Sequence, residues 1–254
     1  MIEVSGLTRH RGKDVVLEKV SFKINNGSIY ALLGAEGAGK STLLALLAGG
    51  LLPHEGRVRV NGFDTATQPL KVKNCLAYVP CPTVLPRGMS VLQYLQFCAR
   101  VRGIPFDRAV RRIKDATDMV GVRPDDRLPD RLSEAEKKAV AIAGALVGEV
   151  EFLLLDEPFA GLDAKARAEM EDLILELRSL GRTVILSTEE VAVATDLCDA
   201  TLLLREGRLL GVFSAKELLA RPEGDVLRSA SVPSSEGDKD QSSEKQLTRG
   251  EGRH

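Results

Sequence analysis

The sequence predicts an α/β fold, and three observations carry that expectation. Short apolar runs alternate with amphipathic stretches along most of the 254 residues. One run, Ile29-Tyr30-Ala31-Leu32-Leu33, passes through a glycine-rich turn, Gly34 to Ser41, into the helical stretch Thr42–Ala48. Another run, Phe152–Leu155, ends in two carboxylates, Asp156 and Glu157. A sheet whose strands end in glycine turns and acids gathers its chemistry at one edge.

Taken in chain order, the first expected strand is Val15–Ile24, where Val20, Phe22 and Ile24 alternate with polar residues. Ile29–Leu33 is continuously apolar, as a strand buried on both faces should be. Arg57–Val60 and Leu76–Val79 follow, then Phe152–Leu155, Thr183–Leu186, Thr201–Leu204 and Arg208–Phe213. Between Leu92 and Gly121 the period turns helical, with Leu92, Leu95, Cys98 and Ala99 on one face. A second helix, Asp107–Val120, follows Pro105. Met89–Arg131 therefore reads as a helical insertion between two core strands. The folded domain is expected to span 1–222. Residues 223–254 are rich in Ser, Glu, Lys and Asp and after Val232 hold one large aliphatic residue, Leu247. Such a segment buries too little apolar surface to offset its ordering entropy, so a disordered tail is expected.

Composition narrows the function classes. A net charge of −1 gives no general attraction to nucleic acid. Four cysteines, Cys75, Cys81, Cys98 and Cys198, form no C-x-x-C pair, which fits a reducing compartment and argues against a disulfide framework or zinc site. No apolar run reaches the length of a membrane span, and the N-terminus has no signal-peptide pattern. Membrane association is expected to come through a partner.

The turn Gly34-Ala35-Glu36-Gly37-Ala38-Gly39-Lys40-Ser41 fits G-x-x-x-x-G-K-[ST] in the strand–loop–helix setting that the motif requires. Its glycines let backbone N–H groups turn toward phosphate without a Cβ in the way. The helix that begins near Thr42 adds partial positive charge. Lys40 is expected to reach the β- and γ-phosphates, and Ser41 to bind Mg²⁺. Asp156 is the second expected metal contact, usually through water, and Glu157 is the expected general base.

These residues resemble the ATP-binding cassette (ABC) family, over roughly Met1 to Glu217. Pro158-Phe159-Ala160-Gly161-Leu162-Asp163 looks like its D-loop, with Asp163 at the motif's end. The span from Tyr78 to Val91 looks like its Q-loop region, Leu132-Ser133-Glu134-Ala135-Glu136 occupies its signature position, and Ile185 to Glu189 its switch. The resemblance implies a P-loop NTPase cassette with a RecA-like core, an antiparallel β subdomain and a helical insertion. It implies ATP and Mg²⁺ as cofactors, a second cassette as homodimer or heterodimer partner, and an integral membrane permease. It also implies a cytoplasmic location on the inner face of the membrane. Leu95–Gly103 looks most like the ABC-2-type exporter and gliding-motility branch.

Several family positions carry other chemistry here. The two signature glycines are Glu134 and Ala135, and its glutamine is Glu136. Ser133-Glu134-Ala135-Glu136 also fits a capping box, which would satisfy the helix start internally. One carboxylate about 6 Å from a phosphate charge, at an effective dielectric near 20, opposes it by about 3 kcal/mol before screening. The switch histidine is Glu189, an acceptor only; its plainer reading is a charged helix start near Val191. The Q-loop position is Cys81, a poor Mg²⁺ ligand and more simply a small packing residue. The adenine-stacking position falls on Arg11, whose plainer reading is a loop arginine. Glu36 adds one more negative charge to the phosphate loop. The expected function is an ATP-binding subunit of an ABC-type, exporter-like complex with weak or absent hydrolysis. A fully active transport ATPase and a non-transport scaffold stay open as alternatives. The region Cys81–Arg102, with Leu85, Met89, Tyr94 and Phe97, is the surface implied to receive a permease helix.

Overall fold

The computed structural model of the chain describes residues 1–220, so the segment 223–254 lies outside the described residues. In chain order the strands are β1 (Ile2–Arg11), β2 (Asp14–Ile24), β3 (Ile29–Leu33), β4 (Glu55–Val60), β5 (Phe63–Asp64), β6 (Leu76–Val79), β7 (Phe152–Leu155), β8 (Thr183–Thr188), β9 (Ala200–Arg205) and β10 (Arg208–Phe213). The helices are α1 (Lys40–Leu47), α2 (Pro69–Cys75), α3 (Val91–Val101), α4 (Phe106–Met119), α5 (Glu134–Leu146), α6 (Ala164–Ser179), α7 (Val191–Asp196) and α8 (Ala215–Leu219). A short 3-10 turn at Pro129–Arg131 precedes α5.

Two sheets form. One has four strands in the order β2-β1-β4-β5, all antiparallel. The other has six, in the order β10-β9-β3-β8-β7-β6, parallel except for edge strand β10. Alternation along the six-stranded sheet feeds two cores. Ala31, Leu33, Leu153, Leu155, Val184 and Leu186 face a cluster that includes Leu95, Ile113, Val140 and Ile174 of the helices. Tyr30, Leu32, Leu154 and Ile185 face the other way, onto Leu43 and Leu47 of α1 and onto Val4, Phe22 and Val58 of the antiparallel sheet. Burial on both faces explains why the parallel strands read as unbroken apolar runs.

The register of this sheet positions the site. Leu33 of β3 pairs with Thr188 of β8, and Leu186 of β8 pairs with Leu155 of β7. The residues just past these pairs are Gly34, Glu189 and Asp156-Glu157. Three separate stretches of chain thus emerge side by side at the carboxyl edge, the usual ligand-binding edge of a parallel sheet.

Several sequence expectations shift. β1 was not anticipated, because Gly6 and the register breaks between Val4 and Leu7 interrupt its alternation. Arg11 is the last residue of β1, paired with Asp14 across the hairpin, and not a loop residue. α1 starts two residues earlier than Thr42, at Lys40, and β8 runs on through Ser187 and Thr188. α2, led by Pro69 at its first turn, was also missed. Within Met89–Arg131 lie α3, α4 and the 3-10 turn, and both helices pack on α5.

Candidate functional site

The glycine-rich turn leaves β3 and enters α1 through Gly39, which has φ +102° and provides no side-chain cap. A Cβ at Gly39 would meet Leu17 Cδ2 at 2.8 Å and Val16 O at 2.9 Å, so the turn requires glycine for both conformation and space. The first amides of α1 lack intrahelical acceptors, as in any helix start, and Gly39 has no side chain to cap them. This is the geometry of an anion cradle.

A cavity of about 880 Å³ opens over this loop. Its walls include Glu36, Gly37, Gly39, Lys40, Ser41 and Thr42 of the loop, with Arg11, Asp14 and Glu206 at its margin. Gly34, Ala35 and Ala38 shape the turn from behind: Ala38 N–H donates to Ala35 O at 3.1 Å, and a Cβ on Gly34 would strike Leu204 O at 2.4 Å. Cys81, Glu157, Glu189 and Glu190 also line it.

Lys40 is buried and fully engaged. Its Nζ donates to Gly34 O at 2.8 Å, Ala35 O at 3.1 Å and Glu189 Oε1 at 3.0 Å, with Glu157 Oε1 at 3.2 Å. The expectation that Glu189 merely starts a helix is corrected here. The residue that precedes α7 is Glu190, whose carboxylate accepts from Arg167 at 2.7 and 3.1 Å. Glu189, one step past the Leu33–Thr188 pair, is delivered to Lys40 by the β3–β8 register.

Glu157 has φ +44°, an uncommon backbone for a non-glycine residue and one that concentrates at functional sites. Burial pushes its carboxyl above the ordinary range, and Lys40 draws it back. Its N–H donates to Ser187 Oγ at 2.8 Å. Asp156 is also buried, with Oδ1 accepting from Ser187 Oγ at 2.6 Å and Oδ2 from the Tyr78 hydroxyl at 3.1 Å. Burial and the neighbouring Asp156 push the Tyr78 hydroxyl up, so it stays a donor. Ser41 lines the cavity, whereas Asp156 sits behind its wall under two hydroxyls. The pair fits Mg²⁺ through water at Asp156 better than by direct contact, because both carboxylate oxygens already accept bonds.

Cys81 is half-buried on the cavity wall and not in the core, with burial pushing its thiol up. Two residues that sequence reasoning did not single out also matter. Lys138 of α5 is buried and donates from Nζ to the backbone carbonyls of Glu157 at 3.0 Å, Pro158 at 3.1 Å and Ala160 at 2.5 Å. Burial lowers its ammonium pKa. Arg167 lies over the Phe159 ring at 4.9 Å and holds Glu190. A lysine inside the apolar face of α5 and a serine inside β8 were the available signals.

Ser133, Glu134, Ala135 and Glu136 stand away from this cavity at the start of α5. The capping box forms: Glu136 N–H donates to Ser133 Oγ at 3.1 Å, and Ser133 N–H to Glu136 Oε2 at 2.9 Å. Glu136 also pairs with Arg127 at 2.6 Å, and Glu134 with Lys137 at 2.6 Å. Asp163 serves as the N-cap of α6, accepting from Ala166 N–H at 2.8 Å. Of the four surface residues expected on Cys81–Arg102, Leu85 is buried in the core and Tyr94 packs against it under Gly144. Phe97 is exposed and Met89 partly so, around a shallow hollow with Gln93 and Arg100.

Among the described residues, no helix is long and apolar enough to cross a membrane. The family model described as ABC transporter matches residues 17–160. A molybdate/tungstate import ATP-binding protein of Pyrococcus abyssi is 36% identical over 83% of this chain, which spans 61% of that protein's length. The linearmycin resistance ATP-binding protein of Bacillus subtilis is 27% identical, over 89% of this chain and 73% of its own. A solved structure described as an ATP-binding subunit of an ABC transporter superposes with a TM-score of 0.81 at 26% identity, covering 90% of this chain and 98% of that one.

Proposed function

The chain belongs to the ABC transporter family, and from that premise we propose that it is the ATP-binding subunit of a membrane transport complex, binding Mg-ATP with weak or absent hydrolysis. The observation that carries the binding half is the uncapped start of α1 beside Lys40 on the wall of the 880 Å³ cavity. Gly34 to Thr42 would hold the phosphates, Ser41 and Asp156 the Mg²⁺, and Arg11 at the margin the base. Bound Mg²⁺ would neutralise phosphate charge. Glu157 is placed to orient a water through the carboxylate that now faces Lys40.

The hydrolysis half rests on charge and on capping. Transfer of a phosphoryl group needs donors around it. Here Glu189 contributes an acceptor beside Lys40, and Cys81 contributes a thiol kept protonated by burial. The start of α5 engages its Ser133 and Glu136 amides in the capping box and carries two carboxylates, Glu134 and Glu136, so it opposes the charge of a nucleotide on a partner cassette. The export direction and the ABC-2 branch draw support from the Leu95–Gly103 segment and from the linearmycin resistance relative; the molybdate/tungstate relative supports import instead. The permease surface falls on Phe97 and Met89, and a second cassette, identical or not, on the face that holds Ser133 and Asp163. The domain runs to about residue 222.

A second reading, a fully active transport ATPase, is favoured by one observation: Glu157 is retained at the cavity with a carboxyl raised by burial. Calorimetric titration with Mg-ATP tests the proposal. Saturable binding that is lost in Lys40→Ala supports it, and the absence of binding by the unaltered chain overturns it.

A further inference from the structure

The arrangement around Lys40 bears on which nucleotide the site prefers, an inference that rests on the nucleotide reading above. An ammonium has three protons to donate. Four oxygens surround this one within 3.2 Å: two loop carbonyls and the carboxylates of Glu157 and Glu189. A phosphate can reach Lys40 only by displacing one of them. The carbonyls of Gly34 and Ala35 belong to the loop itself, whereas the carboxylates follow the ends of the neighbouring strands β7 and β8.

Glu189 is held in this position from both sides. The Leu33–Thr188 pair fixes the backbone before it. After it, Glu190 N–H donates to Thr188 Oγ1 at 3.0 Å, and the Glu190 carboxylate is gripped at both oxygens by Arg167. Arg167 is itself tied to Glu171 at 3.3 Å on α6. The backbone is therefore fixed where Glu189 meets Lys40, and its carboxylate, on a side chain 44% exposed, contacts the ammonium at 3.0 Å.

In a loop of this type the backbone amides cradle the phosphates nearer the base, and the lysine spans the β- and γ-phosphates. The terminal phosphate is the group brought up to the lysine on its carboxylate side. Two hydrogen-bond lengths place a phosphate oxygen on Lys40 at most about 6 Å from Glu189 Oε1. A diphosphate reaches Lys40 through its β-phosphate alone, so it brings less negative charge toward Glu189 than a triphosphate does. We infer that Glu189 is a terminal-phosphate discriminator, which makes a nucleoside diphosphate the preferred ligand of this site over the corresponding triphosphate.

The test is the ratio of Mg-ATP to Mg-ADP affinity at fixed Mg²⁺ and ionic strength, in the unaltered chain, Glu189→Gln and Glu206→Gln. Glu206→Gln removes a charge from the same cavity without touching Lys40. The unaltered chain is expected to bind Mg-ADP more tightly. Glu189→Gln is expected to tighten Mg-ATP about ten- to hundredfold and Mg-ADP less than about threefold. Glu206→Gln is expected to move both by less than about threefold. Binding with an unchanged ratio in Glu189→Gln, or the same ATP-selective gain in Glu206→Gln, overturns the assignment to Glu189 while leaving the nucleotide site standing. Failure of the unaltered chain and of Glu189→Gln to bind either nucleotide overturns the nucleotide reading and this inference together.

Discussion

Two helices in this molecule begin in opposite ways. α1 starts at a left-handed glycine with no side chain over its first amides, and a buried lysine stands in its first turn. α5 starts at a serine and a glutamate that satisfy each other's backbone, with a second glutamate exposed beside them. Both starts carry the same backbone dipole. The first leaves it open to an anion, and the second cancels it with side-chain oxygens and two carboxylates. In this chain the open start lines the cavity and the capped one does not.

Lys40→Ala attacks the open start most directly. It removes the cation proposed to face the phosphates and leaves Glu157 and Glu189 uncompensated. Mg-ATP affinity should fall by at least about a hundredfold, close to 3 kcal/mol, read by calorimetry. A change of less than tenfold would show that the α1 amides alone carry binding. Gly39→Ala comes next. Its Cβ would meet Leu17 and Val16 below 3.0 Å at φ +102°, so the urea midpoint should report a loss of about 2–4 kcal/mol. Gly37→Ala, at φ +77° with open space around it, should cost only about 1 kcal/mol. Equal losses at the two positions would remove the packing argument.

Smaller effects sharpen the α5 side of the contrast. Ser133→Ala should cost about 1 kcal/mol of stability and leave the nucleotide affinity of the isolated chain unchanged, because the capping box lies outside the cavity. The Ser133 N–H, then Arg127, hold the Glu136 carboxyl below its ordinary range. Its contribution is therefore complete above the ordinary carboxyl value near 4.5 and is lost as pH falls through the lower folded value. Glu136→Gln should flatten that part of an acid-unfolding curve. Glu157 has the opposite sign. Its raised carboxyl binds a proton more tightly in the folded chain, so stability falls as pH rises through the raised value. Glu157→Gln should raise the melting temperature at neutral pH by about 2 °C, and a lower one would mean that the contact with Lys40 outweighs desolvation.

The parallel sheet and the glycine loop were legible because each speaks through a local pattern: a continuous apolar run for a doubly buried strand, and fixed glycine spacing for the turn. The capping box was legible for the same reason, since its partners are three residues apart. What local pattern does not carry is adjacency set by register. Glu189 looked like a helix start because Val191 follows it, while its partner Lys40 lies on another strand's loop. Tyr78 reads as a strand residue and Ser187 as part of the switch span; only the β6-β7-β8 order sets their hydroxyls on Asp156. β1 was hidden by its own bulge at Gly6.

The central claim is that this site holds nucleotide without using it efficiently. Phosphate release measured on the purified chain at saturating Mg-ATP, with occupancy counted on the same sample, tests it most directly. Near-stoichiometric occupancy is expected, with phosphate release indistinguishable from that of Glu157→Gln. Sustained release that Glu157→Gln abolishes would contradict it.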